Sequence, residues 1–215
     1  MATVPYDNFL AEVLPDCPGA PDEAAINAIR NAAIEFCDES LWYQYTPGAV
    51  VGVPGVATYA LSTPAGTLLQ RVTMAWYEGT VLFAKSADQL NALSGTEWRT
   101  LQGTPQYYTQ SDDATVIVLV PFPLIASTIG LTSLVALRPS RVSTTIDSDV
   151  YEKWAEVIAF GAKARLQGAA GQSYTNVAAS ERNAMKFRLG IAKARMERNR
   201  GLVRGDLVMR PPRFV

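Results

Sequence analysis

The strongest apolar rhythm in the chain lies between Asp147 and Arg200. Val150, Trp154, Val157, Ile158, Gly161 and Ala162 fall on one side of a 3.6-residue repeat. That spacing predicts a helix from Val150 to Gln167, with Ser148 as its N-cap and Gly168 as its C-cap. The Gly-rich stretch 168–173 then predicts a turn, and a second helix over 176–200 completes a hairpin. On this second helix Met185, Leu189, Ala192 and Met196 form one stripe, and Ala184, Phe187, Ile191 and Ala194 form another beside it. The combined apolar surface is wider than one partner helix needs, so contacts on two sides are expected.

Earlier in the chain, Tyr6 to Leu14 reads as a short helix ended by Pro15. Pro21, Asp22 and Glu23 open a longer helix to about Tyr43, because proline suits a first turn and acidic side chains suit the positive helix end. From Thr46 the pattern changes to short runs rich in Val, Thr and Tyr, punctuated by Pro47-Gly48, Pro54-Gly55 and Pro64-Ala65-Gly66. Strands are predicted over 49–53, 57–61, 68–76, 80–83, 106–109, 115–120 and 131–137, with a helical turn or two at 86–93. Pro121 and Pro123 argue against a ladder running through that segment.

The expected architecture is α+β. A helical bundle of residues 1–45 and 141–200 holds an inserted antiparallel β module at 46–140. Residues 201–215 form an extended C-terminal tail without helical period. There is no internal repeat. A tail of this composition is mobile when free, and the expectation is that it lies on the surface of a partner.

Composition is that of an ordinary globular chain: 215 residues, 48% apolar and 18% charged. No apolar run reaches the roughly 20 residues needed to cross a bilayer, and no secretory signal is expected at the N-terminus. The net charge of −1 conceals a polarity. Residues 1–150 carry 6 Lys+Arg against 15 Asp+Glu, whereas residues 151–215 carry 13 against 5. The two segments thus differ as −9 and +8, which implies an acidic partner for the basic segment or head-to-tail attraction between copies.

Histidine is absent, which removes Ser-His-Asp and Cys-His catalysis and His-based zinc sites. Cys17 and Cys37 read as two reduced thiols, in keeping with a reducing compartment. The run 168–173 lacks the lysine of a phosphate loop and joins two helices, so it is a hairpin turn. Asp112-Asp113 and the group Glu35, Asp38 and Glu39 lack calcium-loop spacing and read as solvated or interfacial charge. Trp42-Tyr43-Gln44-Tyr45 has no accompanying cation for nucleic-acid stacking and is expected to pack between the helical and β parts. No catalytic, cofactor or metal site is expected. The basic series Arg182, Lys186, Lys193, Arg195, Arg198, Arg200, Arg204, Arg210 and Arg213 is the one constellation that points outward.

Taken in order, the chain resembles the head-to-tail adaptor (connector) proteins of tailed bacteriophages, of the short-tailed type. The resemblance rests on Tyr6-Asp7-Asn8-Phe9-Leu10, on the helix Ile26 to Cys37 with Trp42 after it, and on Trp98. It continues through Gly103-Thr104-Pro105-Gln106-Tyr107-Tyr108, Leu137-Arg138-Pro139-Ser140, Gly161-Ala162-Lys163-Ala164-Arg165-Leu166 and the basic final helix. The order of elements carries it rather than any single motif. The resemblance implies a structural virion protein, made in the host cytoplasm and placed in the neck between capsid and tail. It implies a homo-oligomeric ring, usually twelve-fold, between the portal protein and a tail or nozzle protein, with genomic DNA passing through the lumen.

On that reading Met185, Phe187, Leu189, Ile191 and Met196 pack between subunits. Arg198, Arg200, Leu202, Val203, Arg204, Leu207, Val208, Met209, Arg210, Arg213 and Phe214 engage the portal side. Two other readings remain open at this point. One is a nucleic-acid-binding protein that uses the basic final helix. The other is a carbohydrate-active or receptor-binding β module, resting on Trp76, Tyr77, Trp98, Tyr107 and Tyr108.

Overall fold

The computed structural model describes residues 2–110 and 114–200. In chain order these form β1 (Thr3–Pro5), α1 (Leu10–Val13, flanked by short 3₁₀ turns), α2 (Asp22–Ser40), β2 (Gln44–Tyr45), β3 (Val50–Gly52), β4 (Thr58–Ala60), β5 (Thr67–Tyr77) and β6 (Thr80–Ala84). There follow α3 (Ala87–Ser94), β7 (Gln102–Gly103), β8 (Tyr107–Gln110), β9 (Val116–Val120), β10 (Phe122–Pro123), β11 (Ser127–Pro139), β12 (Thr145–Asp147), α4 (Ser148–Gln167) and α5 (Val177–Arg200). The fold is α+β: five helices and a curled mixed sheet.

Helices α2, α4 and α5 pack together because each buries one stripe. On α2 it is Ala25, Ala28, Ile29, Ala32, Ala33, Phe36 and Cys37. The small residues in that stripe let α4 come close. Trp154 of α4 lies 5.6 Å from Phe36 and 5.2 Å, edge-on, from Trp42. Trp42 therefore sits where the helices meet the sheet, and Gln44 and Tyr45 pair with β11, as the sequence led us to expect.

The cap of α4 differs from expectation. Asp147 is the N-cap, its carboxylate accepting from the Asp149 N–H at 3.0 Å, and Ser148 is the first helical residue. The physical reason lies in β1, which pairs antiparallel with β12 in the register Thr3↔Asp147. The Ser148 N–H donates to the Ala2 carbonyl, so extended backbone persists through Asp147. At the other end the predicted hairpin is present. Gln167 fastens it, donating to the Asp16 carbonyl at 2.9 Å and accepting from Asn183 at 2.8 Å.

The large sheet runs β2-β11-β5-β6-β8-β9-β4, with β3 also on β11. It is not wholly antiparallel as expected: β6 and β8 are parallel. A parallel pair needs a crossover, which residues 85–106 supply. Leu90 and Trp98 of that crossover form a small core with Val120 of β9, and the Trp98 ring N–H donates to Asn91 at 2.7 Å. Strand β9 stops at Val120 before the two prolines, and Phe122–Pro123 pairs with β7 instead.

Strand β5 carries two bulges against β11. The register passes from Met74↔Leu134 to Val72↔Val135, and from Arg71↔Ala136 to Leu69↔Leu137. Thr73 and Gln70 are the extra residues, so the buried positions are Leu69, Val72, Ala75 and Tyr77 rather than strict alternates. Bulges of this kind increase local twist, which suits a sheet that curls. Gly130 of β11 is required by close approach: at φ +38°, a Cβ there would stand 2.2 Å from the Val50 carbonyl oxygen. The sheet and bundle share one buried cluster that runs from Phe9 and Phe36 to Val135 and Leu137.

Candidate interaction surfaces

Helix α5 has two unlike faces. Phe187, Ile191 and Ala194 are buried against the rest of the bundle, at 4%, 7% and 0% exposure. Met185, Leu189 and Met196 are 65%, 61% and 55% exposed. Two residues along an α-helix amount to a rotation of about 200°, so Met185 and Phe187 point in nearly opposite directions. The expected pair of adjacent stripes is thus corrected. One stripe belongs to the chain's own core, and Phe187 and Ile191 are taken up there rather than offered to a neighbouring subunit. The other stripe faces outward, with a shallow groove formed by Glu181, Ala184, Met185, Arg188 and Leu189.

The cations of α5 separate in the same way. Arg182, Lys186, Arg188, Lys193 and Arg200 are exposed, with the Lys186 ammonium 4.6 Å from the centre of the Phe160 ring. Arg195 instead bonds Glu39, through its Nε to the carbonyl at 2.8 Å and its guanidinium to the carboxylate at 2.9 Å. Arg198 turns toward the sheet, into a cleft that also holds Arg71 and Lys85. Leu202, Val203, Arg204, Leu207, Val208, Met209, Arg210, Arg213 and Phe214 lie outside the described residues, as do Asp112 and Asp113.

The acidic group at the end of α2 is paired within the chain. Glu35 meets Arg165 of α4, Asp38 meets Arg138 of β11 at 3.0 Å, and Glu39 meets Arg195 of α5. Three successive acids near a helix C-terminus are poorly placed for the helix dipole. Here each reaches a cation from a different element. Such half-exposed pairs contribute about 0–1 kcal/mol apiece, so their effect is more on alignment than on stability. Burial lifts the Asp38 carboxyl above its ordinary value, with Arg138 opposing.

The aromatic residues that suggested glycan binding do not form a platform. Tyr77, Trp98 and Tyr108 are buried, and Trp76 and Tyr107 are half-buried. Cys17 and Cys37 are free and buried, and burial holds the Cys37 thiol strongly toward its protonated form. Among the described residues no group of three His, Cys, Asp or Glu is arranged to hold a metal ion. Nor is any helix long and apolar enough to cross a membrane.

What these residues present is an exposed apolar helix face edged with arginine and lysine, on a scaffold cross-linked by ion pairs. Compared with known families, the chain matches the SU10 adaptor protein family over residues 5–209. It belongs to that family, and is therefore a phage adaptor, from a structural family and not an enzyme family. No curated protein matches the chain. Arg71 and Lys85 drew no attention in the sequence, because they lie 14 residues apart, one on β5 and one just after β6, and more than 110 residues before Arg198.

Proposed function

We propose that the chain is the ring adaptor between a phage portal and the tail or nozzle that follows it, with the genome passing through the ring. The observation that carries this reading is the outward stripe Met185, Leu189 and Met196 on α5, set opposite the stripe that the chain uses itself. An apolar helix face of this kind is a subunit contact in a protein whose family works by joining other proteins. The opposite charges of the segments 1–150 and 151–215 favour a heterologous, head-to-tail contact between copies, and such contacts close into rings when the rotation permits. Residues 201–215, with Arg204, Arg210 and Arg213, attach the ring to the portal. The acidic N-terminal part lines the lumen, where a cationic wall would slow DNA by phosphate contact.

The test is a mass measurement on the purified chain, alone and with portal rings, for the full chain and for residues 1–200. The full chain is expected to form a defined ring-sized assembly on the portal, and the truncated chain to fold but fail to attach. Undiminished attachment of the truncated chain would remove the tail from this role. The exposed cations of α5 also support binding to nucleic acid. That reading requires DNA affinity in the isolated chain, falling steeply with salt.

A further inference from the structure

Strand β6 lies between β5 and β8 and ends at Ala84, leaving a gap between Arg71–Thr73 of β5 and the end of β8. The gap is bridged by side chains: the Val72 N–H donates to the Gln110 side chain at 3.2 Å, and the Tyr108 hydroxyl donates to the Val72 carbonyl at 3.4 Å. Over this gap lies an open cleft of about 550 Å³. Its walls are Arg71 from β5, Lys85 after β6, and Arg198 from the last turn of α5, with the hydroxyls of Ser86 and Thr109 beside them. The bulged residues Gln70 and Thr73 bracket Arg71, and bulges commonly re-aim a side chain where it is needed.

Three cations therefore meet with no acidic side chain in the lining among the described residues. The Nε of Arg198 is buried and has no hydrogen-bond acceptor among the described residues. A buried donor without an acceptor is costly and uncommon. Burial, and next the charge of Arg71, make it harder for Arg198 to hold its proton. Among the described residues, nothing in the lining of the cleft offsets this local excess of positive charge.

We propose that this cleft binds a phosphate group. A single carboxylate would leave most of the converging charge unanswered. A phosphate monoester or diphosphate carries about −1.5 to −2 or more at neutral pH and offers three or more acceptor oxygens. Arginine forks match those oxygens bidentately. The cleft is open rather than enclosed, so whatever bears the phosphate extends into solvent. Its occupation would tie the end of α5 to β5 and to the start of α3, fixing the end of the helix from which residues 201–215 depart. The cleft is formed within one chain, whether or not that chain forms a ring.

The experiment is calorimetric titration of the full chain at low salt with inorganic pyrophosphate, with a short DNA duplex at equal phosphate concentration, and with an oligoglutamate peptide. Arg71→Gln, Arg198→Gln and the rim variant Lys85→Gln are titrated in parallel, with circular dichroism to confirm folding. Saturable pyrophosphate binding, weakened about tenfold or more in each arginine variant, supports a free or terminal phosphate as ligand. Duplex binding lost in the same variants supports the nucleic-acid backbone as the source. The proposal is overturned if neither binds, if binding survives the arginine substitutions, or if the peptide binds in preference. It is also overturned if pyrophosphate binds only to the Asp112→Asn/Asp113→Asn chain, since the cations then serve the chain's own acids.

Discussion

Phe187 of α5 seats its ring against the bare backbone of Gly161 on α4. A Cβ at Gly161 would stand 2.9 Å from two ring carbons of Phe187 and 3.0 Å from the Ala32 Cβ of α2. The three helices of the bundle thus meet at one residue that has no side chain. A second close point lies a turn away, where a Cβ on Gly190 would stand 2.4 Å from a methyl of Val157.

Gly161→Ala is expected to destabilise the chain although alanine is the better helix former. The propensity gain is about 1 kcal/mol, and the overlap acts on a packed ring and a short, rigid neighbour. Overpacking costs typically about 1–3 kcal/mol, so a net loss is expected, larger for Gly161→Val. Combining Gly161→Ala with Phe187→Leu should recover part of it. Urea denaturation measures all three, and a stabilised Gly161→Val chain would contradict the packing described.

The two faces of α5 should separate in a stability measurement. Phe187→Ala is expected to cost about 3–5 kcal/mol, as for a buried aromatic. Met185→Gln and Leu189→Gln should each stay within about 0.5 kcal/mol of the parent. Light scattering on the same samples should show the double glutamine chain folded but unable to assemble. An assembly indifferent to that double change would place the subunit contact elsewhere.

Asp147 gives a pH-dependent outcome. Burial, the largest cause, lifts its carboxyl above the ordinary 3.8, while the N–H groups of Asp149 and Val150 act the other way. An acid raised in the folded state keeps its proton longer there than in the unfolded chain. Its contribution to stability therefore falls as pH rises through the window just above 3.8. Asp147→Asn keeps an acceptor for the cap and removes the charge. It should match or exceed the parent at neutral pH and flatten the dependence in that window. Asp147→Ala should lose about 1 kcal/mol with the cap. Thermal melts across pH decide between these outcomes, and an asparagine variant much weaker than alanine would refute the assignment.

The helices were legible because their pattern is local: Trp154, Ile158 and Ala162 recur at helical spacing whatever they pack against. The order of strands was legible from turn residues such as Pro54-Gly55 and Pro64-Ala65-Gly66. The bulges in β5 were not. They exist only relative to β11, and in place of the two-residue alternation of a regular strand they bury Leu69, Val72 and Ala75. The parallel β6–β8 pair was hidden for the same reason, since Phe83↔Tyr107 is a contact across the crossover.

Among the candidate surfaces, the sequence located both apolar stripes of α5 but set them side by side, where the helical rotation places Met185 and Phe187 on opposite sides. The meeting of Arg198 with Arg71 could not be seen, because it depends on where the last turn of α5 lands on the sheet. The partners of Glu35, Asp38 and Glu39 were equally out of reach, each lying on an element distant in sequence.

The first strand bonds to residues 145–147, and Tyr45 lies opposite Val135. Segments before and after the β excursion therefore grip each other independently of its tip. A single cut near exposed Ile125 would yield two pieces, each contributing helices to the same bundle and strands to the same ladders. The polypeptide is stitched so that severing the loop at Ile125 is not expected to release either half.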